Sequence, residues 1–527
     1  TTGNNLVAIG AYALSSATTL SGSVAIGRRA AFSATTAGDI IAIGYQALHD
    51  NTTGAHNIAL GRNALYNNTT AAYNIAIGRD ALEANETGVQ NIAIGYDALT
   101  TATGVNYSLA IGLNSQKNNQ SGSSNVSLGW QTMKDLTTGD SNTAVGNEAM
   151  EKTTTGTQNT ALGRTALYNN TTGGNNTAIG QSALKANTTA SNNTAVGRTA
   201  LFANTTGTSN TALGYQALNA NTTNSHNTAV GYNALLNNDA NYNTACGKEA
   251  VQANTSGSRL VGVGNRALYS NTTGNHNHAF GDHALFACTT ASANTAVGYE
   301  SATAITTGHS NVAVGYQALH DATTSIRCVT IGYMAGGNIT DGGDNVCIGY
   351  QAGMYNTALT TGDDNVYIGS YVDSGDANAI KSIAIGYNAV GKGSNTGMMR
   401  ASSGMYQSNN SSTWSTTSDI RIKKNVVDNN TGLDKINQIQ VRNFEYRTEE
   451  EITDFDNPRA ALVEKQGLQV GVIAQEIKTI LPDVVEELST GVLTVNPDNL
   501  TWYLVNAVKE LSTENNALKA RLDAAGL

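Results

Sequence analysis

The residues in this sequence best suited to do chemistry are a serine and a lysine five positions apart, Ser418 and Lys423 in the stretch SDIRIKK. A lysine ammonium has a reference pKa of about 10.4 and accepts no proton at neutral pH. Burial, or a neighbouring cation such as Arg421 or Lys424, would lower that pKa. Neutral Lys423 could then take the proton of the Ser418 hydroxyl, which would attack a nearby backbone carbonyl. The hexamer taken alone is more typical of an exposed, solvated segment.

A second set of candidate residues is a run of tyrosines at equivalent places in the chain: Tyr299, Tyr316, Tyr333 and Tyr350. Their rings could stack on the sugars of a receptor. The simpler interpretation is that they are aromatic rungs that stabilise one face of a repetitive fold, and both interpretations stay open at this point.

The elements that carry these residues follow from a repeat. A glycine recurs every 17 residues from Gly10 to Gly231, then after one step of 16, and after one step of 20 between Gly349 and Gly369. The 23 copies follow the pattern N-x-A-φ-G-x-x-A-L-x-x-N-T-T-G-x-x, in which φ is apolar and positions are numbered from the first Asn. Short strands and turns at a fixed period predict a mainly β protein, a parallel β-solenoid or β-roll over residues 1–390. Residues 391–418, rich in Ser, Asn and Gly, are predicted to be a neck.

The faces of each strand can be assigned from alternation, because successive side chains point to opposite sides. Position 4 is apolar in every copy, and we expect it inside the coil against the leucine of position 9. Position 3, alanine in all but a few copies, would then face outwards, and its small size indicates close approach of another chain. An alanine that is merely tolerated on the surface is the alternative. Because a 17-residue coil encloses little volume, burial against copies of itself favours an oligomer.

The NTTG segment supplies turn chemistry, because Asn and Gly tolerate left-handed backbone conformations. The asparagines of position 1 are expected to form a ladder of side-chain amides between turns. NTT also matches the acceptor pattern for N-glycosylation, but a turn explains its repeated occurrence better.

Composition excludes several classes of function. The net charge of −10 argues against a nucleic-acid partner. No apolar run approaches the length of about 18 residues that membrane insertion needs, and no signal peptide is recognised at Thr1. The four cysteines have no disulfide or metal-ligand spacing, so no metal and no cofactor are expected: Cys246, Cys288, Cys328 and Cys347.

The repeat core, as in NIAIGRDAL and GSVAIGRRA, resembles the head repeats of trimeric autotransporter adhesins. Those repeats form a parallel β-roll in each of three chains. The resemblance implies that the solenoid is trimeric.

The C-terminal region is of a different kind, because all three prolines and much of the charge lie there. It contains S-D-x-R-x-K at 418–423, G-x-x-A-Q-E at 471–476, and Leu-Pro followed by two valines at 484–485. This ordered series resembles the self-cleaving intramolecular chaperone domain of endosialidase-type phage tail spikes and tail fibres. The resemblance implies an α+β chaperone domain at 419–527, released by a single-turnover Ser–Lys cleavage between Ser418 and Asp419. No activity on other substrates is expected.

The side of Ser418 that is cut stays open on chemical grounds. Attack of the hydroxyl on the carbonyl of its own residue would need a strained four-membered ring, whereas attack on the Thr417 carbonyl passes through a five-membered ring.

The last residues, about 500–527, are predicted to form a coiled coil. Apolar residues repeat every seven positions, with one polar residue, Asn515, at an a position that can set register and oligomer state. The alternative is a single amphipathic helix packed on its own domain. The two rows of this seam are Leu504, Leu511 and Leu518, and Val508, Asn515 and Leu522.

Together these features predict a homotrimeric tail fibre or spike of a bacteriophage, extracellular in the virion after assembly in the host cytoplasm. Its partners would be a host cell-surface glycan or protein and other virion tail proteins. The alternative is a bacterial secreted or surface adhesin that carries the same chaperone domain. An ice-binding surface fits less well because only one rank of threonines is present, and a glycan-cutting enzyme because no acid pair or histidine cluster interrupts the repeats. The threonines of that rank are Thr143, Thr160, Thr177, Thr194, Thr211, Thr228 and Thr244.

Overall fold

The structure is a computed structural model that describes residues 3–400, 420–455, 458–463, 465–488 and 490–526. It divides into two compact units, Thr1–His309 and Ser310–Leu527. The first unit consists of short parallel strands joined by turns. Its strands, β1 to β18, are Val7–Ile9, Val24–Ile26, Ile41–Ile43, Ile58–Leu60, Ile75–Ile77, Ile92–Ile94, Leu109–Ile111, Val126–Leu128, Thr143–Val145, Thr160–Leu162, Thr177–Ile179, Thr194–Val196, Thr211–Leu213, Thr228–Val230, Thr244–Cys246, Val261–Val263, His278–Phe280 and Thr295–Val297.

The second unit begins with solenoid strands and continues into a small α+β region. Strands β19 to β24 are Val312–Val314, Val329–Ile331, Val346–Ile348, Val366–Ile368, Ile383–Ile385 and Gly397–Met399. Strand β24 pairs in parallel with β23, so the segment predicted as a neck begins with one more solenoid strand.

The strands of successive turns pair in parallel without a shift. Thr194 lies opposite Thr177 on one side and Thr211 on the other. The irregular steps leave the pairing intact, because Thr228 lies opposite Thr244 and Val346 lies opposite Val366. The missing residue and the three additional ones are therefore absorbed in the turns. This register confirms the predicted parallel β-solenoid with a 17-residue period.

The predicted orientation of the strand side chains is wrong. Ala195, at position 3, is completely buried inside the coil, whereas Val196, at position 4, is half-buried on the outer face. The same pattern, a buried central residue between two more exposed ones, holds for β2 to β23. The interior is filled by the alanines of positions 3 and 8 and the leucine of position 9, as Ala200 and Leu201 show. A coil of 17 residues has room for small side chains on its strand, and the larger apolar residues face outwards.

The glycine of position 5 is required by the backbone. Gly197 has a φ of +135°, and a Cβ added there would lie 2.3 Å from the carbonyl oxygen of Gly214 in the next turn. Positions 7, 9 and 17 are also left-handed although they are not glycine. Examples are Gln216, Leu218 and Ser209, with φ values of 54°, 52° and 58°. Each turn of the solenoid therefore has several left-handed corners that the sequence pattern does not reveal.

The expected asparagine ladder is present. The Asn193 backbone N–H donates to Asn176 Oδ1 at 3.0 Å, and Asn193 Nδ2 donates to the Gly207 carbonyl at 2.9 Å. A second ladder runs through position 12, where Asn204 Nδ2 donates to Asn187 Oδ1 at 3.0 Å. Asn204 is fully buried, so the NTT segments act as turns and are not accessible for glycosylation.

The α+β region after the solenoid is built from short elements and one long helix. Its strands, β25 to β28, are Arg442–Phe444, Gln469–Gly471, Val485–Glu487 and Leu493–Val495, and they form two antiparallel pairs. Its helices, α1 to α4, are Leu433–Ile436, Pro458–Ala461, Ala474–Ile480 and Pro497–Ala525. Short 3₁₀ segments lie at Ile420–Ile422, Glu449–Glu451 and Pro482–Val484.

Candidate functional site

The predicted cleavage site lies at the edge of what the structure describes. Ser418 and Asp419 fall outside the described residues, so the distance between the predicted nucleophile and base stays open. Lys423 follows the 3₁₀ segment Ile420–Ile422, and its backbone N–H donates to the Ile420 carbonyl at 3.1 Å. The side chain of Lys423 is exposed. The described residues of one chain therefore do not bury it.

Two of the three motifs of the C-terminal region, G-x-x-A-Q-E and Leu-Pro with its valines, contribute to its small core. The G-x-x-A-Q-E segment ends β26 and begins α3, where Glu476 accepts a hydrogen bond from Arg442 Nη2 at 2.9 Å. The Leu-Pro pair ends α3, and Leu481 packs with Ile477, Val484 and Tyr503 in the buried cluster. These motifs are thus structural, and they place α3 against the start of α4.

Helix α4 packs on this core through its first half. Tyr503 and Ala507 are buried, and the Tyr503 hydroxyl donates to the Asp483 carboxylate at 2.5 Å. This hydrogen bond and burial raise the pKa of Tyr503. Further along, Glu510 Oε2 accepts the backbone N–H of Leu433 at 2.6 Å. Asn496 caps the helix by accepting the backbone N–H groups of the second and third residues of the helix.

The predicted coiled-coil seam lies on a different face of α4. Leu504, Val508 and Leu511 are 47%, 62% and 54% exposed, although each is apolar. Leu518 and Leu522 are also exposed, and so is Asn515. The face that carries Tyr503 and Ala507 packs on the domain, so the first half of the helix does pack on its own domain, as the alternative had it, while the heptad residues lie on another face. The coiled coil stays a prediction.

A groove of about 420 Å³ adjoins the same helix and was not predicted from the sequence. Trp502, which is 67% exposed, and Tyr503 line it together with Asn429 and Lys509. The only sequence signal for it was the single tryptophan near the start of the helix.

The tyrosines predicted as a receptor stripe are divided between the two units. Tyr299 belongs to the first unit. In the second, Tyr333 stacks on Tyr316 and on Tyr350 with ring centroids 5.0 Å apart and nearly parallel planes. Both faces of the Tyr333 ring are thus covered by neighbouring rings. The structural interpretation as aromatic rungs accounts for this stack, while the exposed ring edges remain accessible to a ligand.

The outer strand face was missed as a candidate surface. Leu162, Leu213, Phe280 and Val297, all at position 4 in the first unit, are between 37% and 46% exposed. Between β9 and β15 the other outward position, position 2, carries the rank of threonines, in register from turn to turn. This face presents apolar side chains along the unit. The sequence would have predicted such a face if position 3, and not position 4, had been assigned to the interior of the coil.

The cysteines are dispersed. Cys246 is exposed, whereas Cys288, Cys328 and Cys347 are buried as free thiols. Among the described residues no group of three or more His, Cys, Asp or Glu side chains is arranged to hold a metal ion. No helix in the described part of the chain is long and apolar enough to cross a membrane.

The C-terminal segment has a recognisable family. Residues 418–486 match the family model described as the chaperone of endosialidase. The match begins at Ser418 and includes the three motifs noted in the sequence, and it ends before α4. The chain is also similar to the protein named myelin regulatory factor homolog 1 from Caenorhabditis elegans, with 29% identity over 106 residues. That alignment covers 20% of this chain and 11% of the relative, so the chain spans about a tenth of the curated protein it matches.

Proposed function

We propose that this chain is the shaft of a homotrimeric phage tail fibre or spike that attaches the virion to its host. The observation that carries the proposal is the combination, in one chain, of a long parallel β-solenoid with a C-terminal segment that matches the chaperone of endosialidase. A solenoid of near-identical turns gives little information on how three chains should align, because any turn resembles its neighbours. A chaperone segment at the C-terminal end supplies that alignment and is then released by cleavage at Ser418.

The outer strand face supports a trimeric assembly. Half-exposed apolar side chains at position 4 recur turn after turn, and contiguous apolar surface on a soluble protein marks an interaction site. Copies of the same chain present the same periodic surface, so they match it along its whole length. The exposed seam of α4 offers a second contact between the same chains.

A bacterial surface adhesin is the second candidate function. The solenoid repeats favour it as much as they favour a fibre, because both kinds of protein need a long, repetitive stalk. The gene neighbourhood distinguishes them, since a tail protein lies among virion structural genes and an adhesin among secretion genes.

The proposal is tested by light scattering on the purified Ser418→Ala chain, which should stay uncut and keep all 527 residues. We expect a mass three times that of the 54.6 kDa chain, and a monomer in native buffer would contradict it. Attachment is tested with Tyr316→Ala and Tyr333→Ala, which should weaken adsorption to host cells while the assembled mass is unchanged. Unchanged adsorption would leave these tyrosines a structural role only.

A further inference from the structure

The residue that follows each strand glycine, at position 6, is exposed on all turns of the first unit except those of Asn265 and Asp282, where it is half-buried, and it differs from turn to turn. On seven consecutive turns near the start of the chain it is basic or apolar, mostly Arg or aromatic. Because the turns pair without a shift, these side chains form one row with a spacing of about 4.8 Å per turn. The members of this row, here called the Arg/aromatic rank, are Arg28, Tyr45, Arg62, Arg79, Tyr96, Leu113 and Trp130.

The arginines of the rank are held by the aromatic rings beside them. The guanidinium carbons of Arg28 and Arg62 each lie 5.9 Å from the centroid of the Tyr45 ring. The guanidinium of Arg79 lies 5.4 Å from the centroid of Tyr96. Such cation–π contacts restrict the side chain while its N–H donors, which lie in the guanidinium plane, stay available for hydrogen bonds.

The positive charge of the rank is only partly neutralised by the protein. Asp39, Asp50 and Asp97 on the same turns pair with other residues, namely His56, His49 and Lys117. Arg79 pairs with Asp80, with 2.9 Å between Nε and the carboxylate. Among the described residues, Arg28 and Arg62 have no carboxylate within 4.0 Å. Two exposed guanidinium groups about 10 Å apart, two turns along the row, thus have no salt-bridge partner. Arg62 interacts with the Glu83 carboxylate at longer range, since burial raises the pKa of Glu83 and the Arg62 charge opposes that shift.

We propose that the Arg/aromatic rank binds an acidic polysaccharide laid along the solenoid. The guanidinium groups would bind carboxylate or sulfate groups through paired hydrogen bonds. The exposed rings of Tyr96 and Trp130 would contact the apolar faces of the sugars. A straight row of equivalent positions suits a linear polymer whose acidic groups are separated by uncharged sugars.

A nucleic acid fits this row less well. Its phosphates are dense, about one per 3.4 Å of each strand, whereas the unpaired arginines of the rank are few and widely spaced. The net charge of −10 on the chain also repels a densely charged polyanion. The inference rests on the proposed attachment function, since it assigns a class of receptor to the shaft.

The test is direct binding of the purified full-length chain to immobilised polymers. Hyaluronan offers carboxylates separated by an uncharged sugar, chondroitin sulfate offers sulfates as well, dextran is the neutral control, and single-stranded DNA is the alternative polyanion. We expect binding to the acidic polysaccharides that weakens with salt, and none to dextran. Arg62→Gln should weaken binding about tenfold, and the double variant Arg28→Gln/Arg62→Gln should weaken it further.

Arg164→Gln is the matched control, because Arg164 occupies position 6 on a later turn between Asn147 and Gln181. Equal weakening by this control would overturn the inference, since binding would then follow overall charge. Tighter binding to DNA than to hyaluronan, or loss of the assembled mass in the double variant, would overturn it as well. A trimer that adsorbs to cells but binds neither polysaccharide refutes this inference alone, whereas a monomer contradicts the proposed function.

Discussion

Ala195 and Val196 are neighbours in one strand, yet they lie in different surroundings. Ala195 is fully buried in the coil, and Val196 is half-buried on the outer face. Ala195→Glu places a carboxylate without a partner in the interior, which should cost about 3–5 kcal/mol and lower the thermal midpoint of the solenoid. Val196→Glu should leave the fold of each chain intact and reduce the assembled mass, because its charge falls on the face proposed to pack between chains. Circular dichroism melting and light scattering on both variants measure the two effects separately. An Ala195→Glu variant that melts like the parent but fails to assemble would restore the opposite orientation of the strand.

The buried thiols make the free energy of unfolding depend on pH. Burial raises the pKa of Cys288 to about 12 and that of Cys328 to about 11. In the unfolded chain thiols ionise with a pKa of about 8.5, so between that pH and about 11 the unfolded state binds fewer protons than the folded state. The contribution of these thiols to stability is therefore complete below this window and declines as the pH rises through it. Denaturant titrations at increasing pH should show the decline, and it should be smaller in Cys288→Ala/Cys328→Ala. A thiol reagent at neutral pH should modify the buried cysteines only after unfolding, whereas Cys246, on the outer strand face, should react quickly in a monomer and slowly if that face packs between chains. Rapid modification of all four would contradict their burial.

Individual positions of the repeat differ in how far the sequence could predict them. The position 5 glycines and the asparagine ladder follow from side-chain chemistry, because only Gly fits the close backbone contact and amides suit a stacked ladder. The prediction of which strand face points inwards was wrong, because alternation places positions 3 and 4 on opposite faces without showing which face is inside. The left-handed corners at Leu218 and Gln216 could not be predicted either, because neither residue type favours that backbone conformation.

Among the elements, helix α4 shows most clearly how the sequence pattern and the packing complement each other. Its heptad seam is exposed, and a separate face carrying Tyr503 packs on the domain. Asn515 is the one polar residue at an a position of the seam, a device that restricts register and oligomer state at some cost in stability. In a Ser418→Ala background, which should keep the helix attached, Asn515→Ile is expected to raise the melting temperature and to give a mixture of oligomers. Light scattering after size separation measures the mixture.

Leu511→Asp should reduce the assembled mass, whereas Glu514→Gln, outside the seam, should not. If Leu511→Asp assembles like the parent, the seam does not join the chains.

The two candidate sites differ in how far the sequence alone could predict them. The Ser418 motif could be found because its order of residues is specific, and the family match begins at this residue, while its role in cleavage stays a prediction. The Arg/aromatic rank escaped notice because it occupies the variable position 6, which a consensus of the repeat discards. Only the unshifted pairing of the strands places Arg28 and Arg62 on either side of the Tyr45 ring.

At the scale of the whole molecule, the central problem is alignment. The pairing of every described neighbouring pair of turns in a unit is nearly the same, so a shift by one turn between chains would replace each contact with a similar one. Local folding of the solenoid is therefore insufficient to align three copies. A separate C-terminal segment that associates first would solve this problem, and after assembly it would no longer be needed.

Maturation should cut the chain at the start of its C-terminal segment. The expressed chain should split into fragments of about 418 and 109 residues, the division implied by the Ser418 motif. Ser418→Ala removes the proposed nucleophile and Lys423→Ala the proposed base, so each should yield an uncut protein that still assembles. Deletion of residues 419–527 should instead give insoluble or misaligned shaft, because nothing would then align the chains. A denaturing gel and N-terminal sequencing of the small fragment measure these outcomes.

A fragment that begins at Asp419 indicates cutting after the serine, and one that begins at Ser418 indicates attack on the Thr417 carbonyl. Lys424→Ala, next to the proposed base, is the matched control and should still be cut, whereas loss of cutting equal to that of Lys423→Ala would contradict the assignment of Lys423 as the base. Processing of Ser418→Ala at the parental rate would show that the serine is not the nucleophile and that release of the C-terminal segment proceeds by other chemistry.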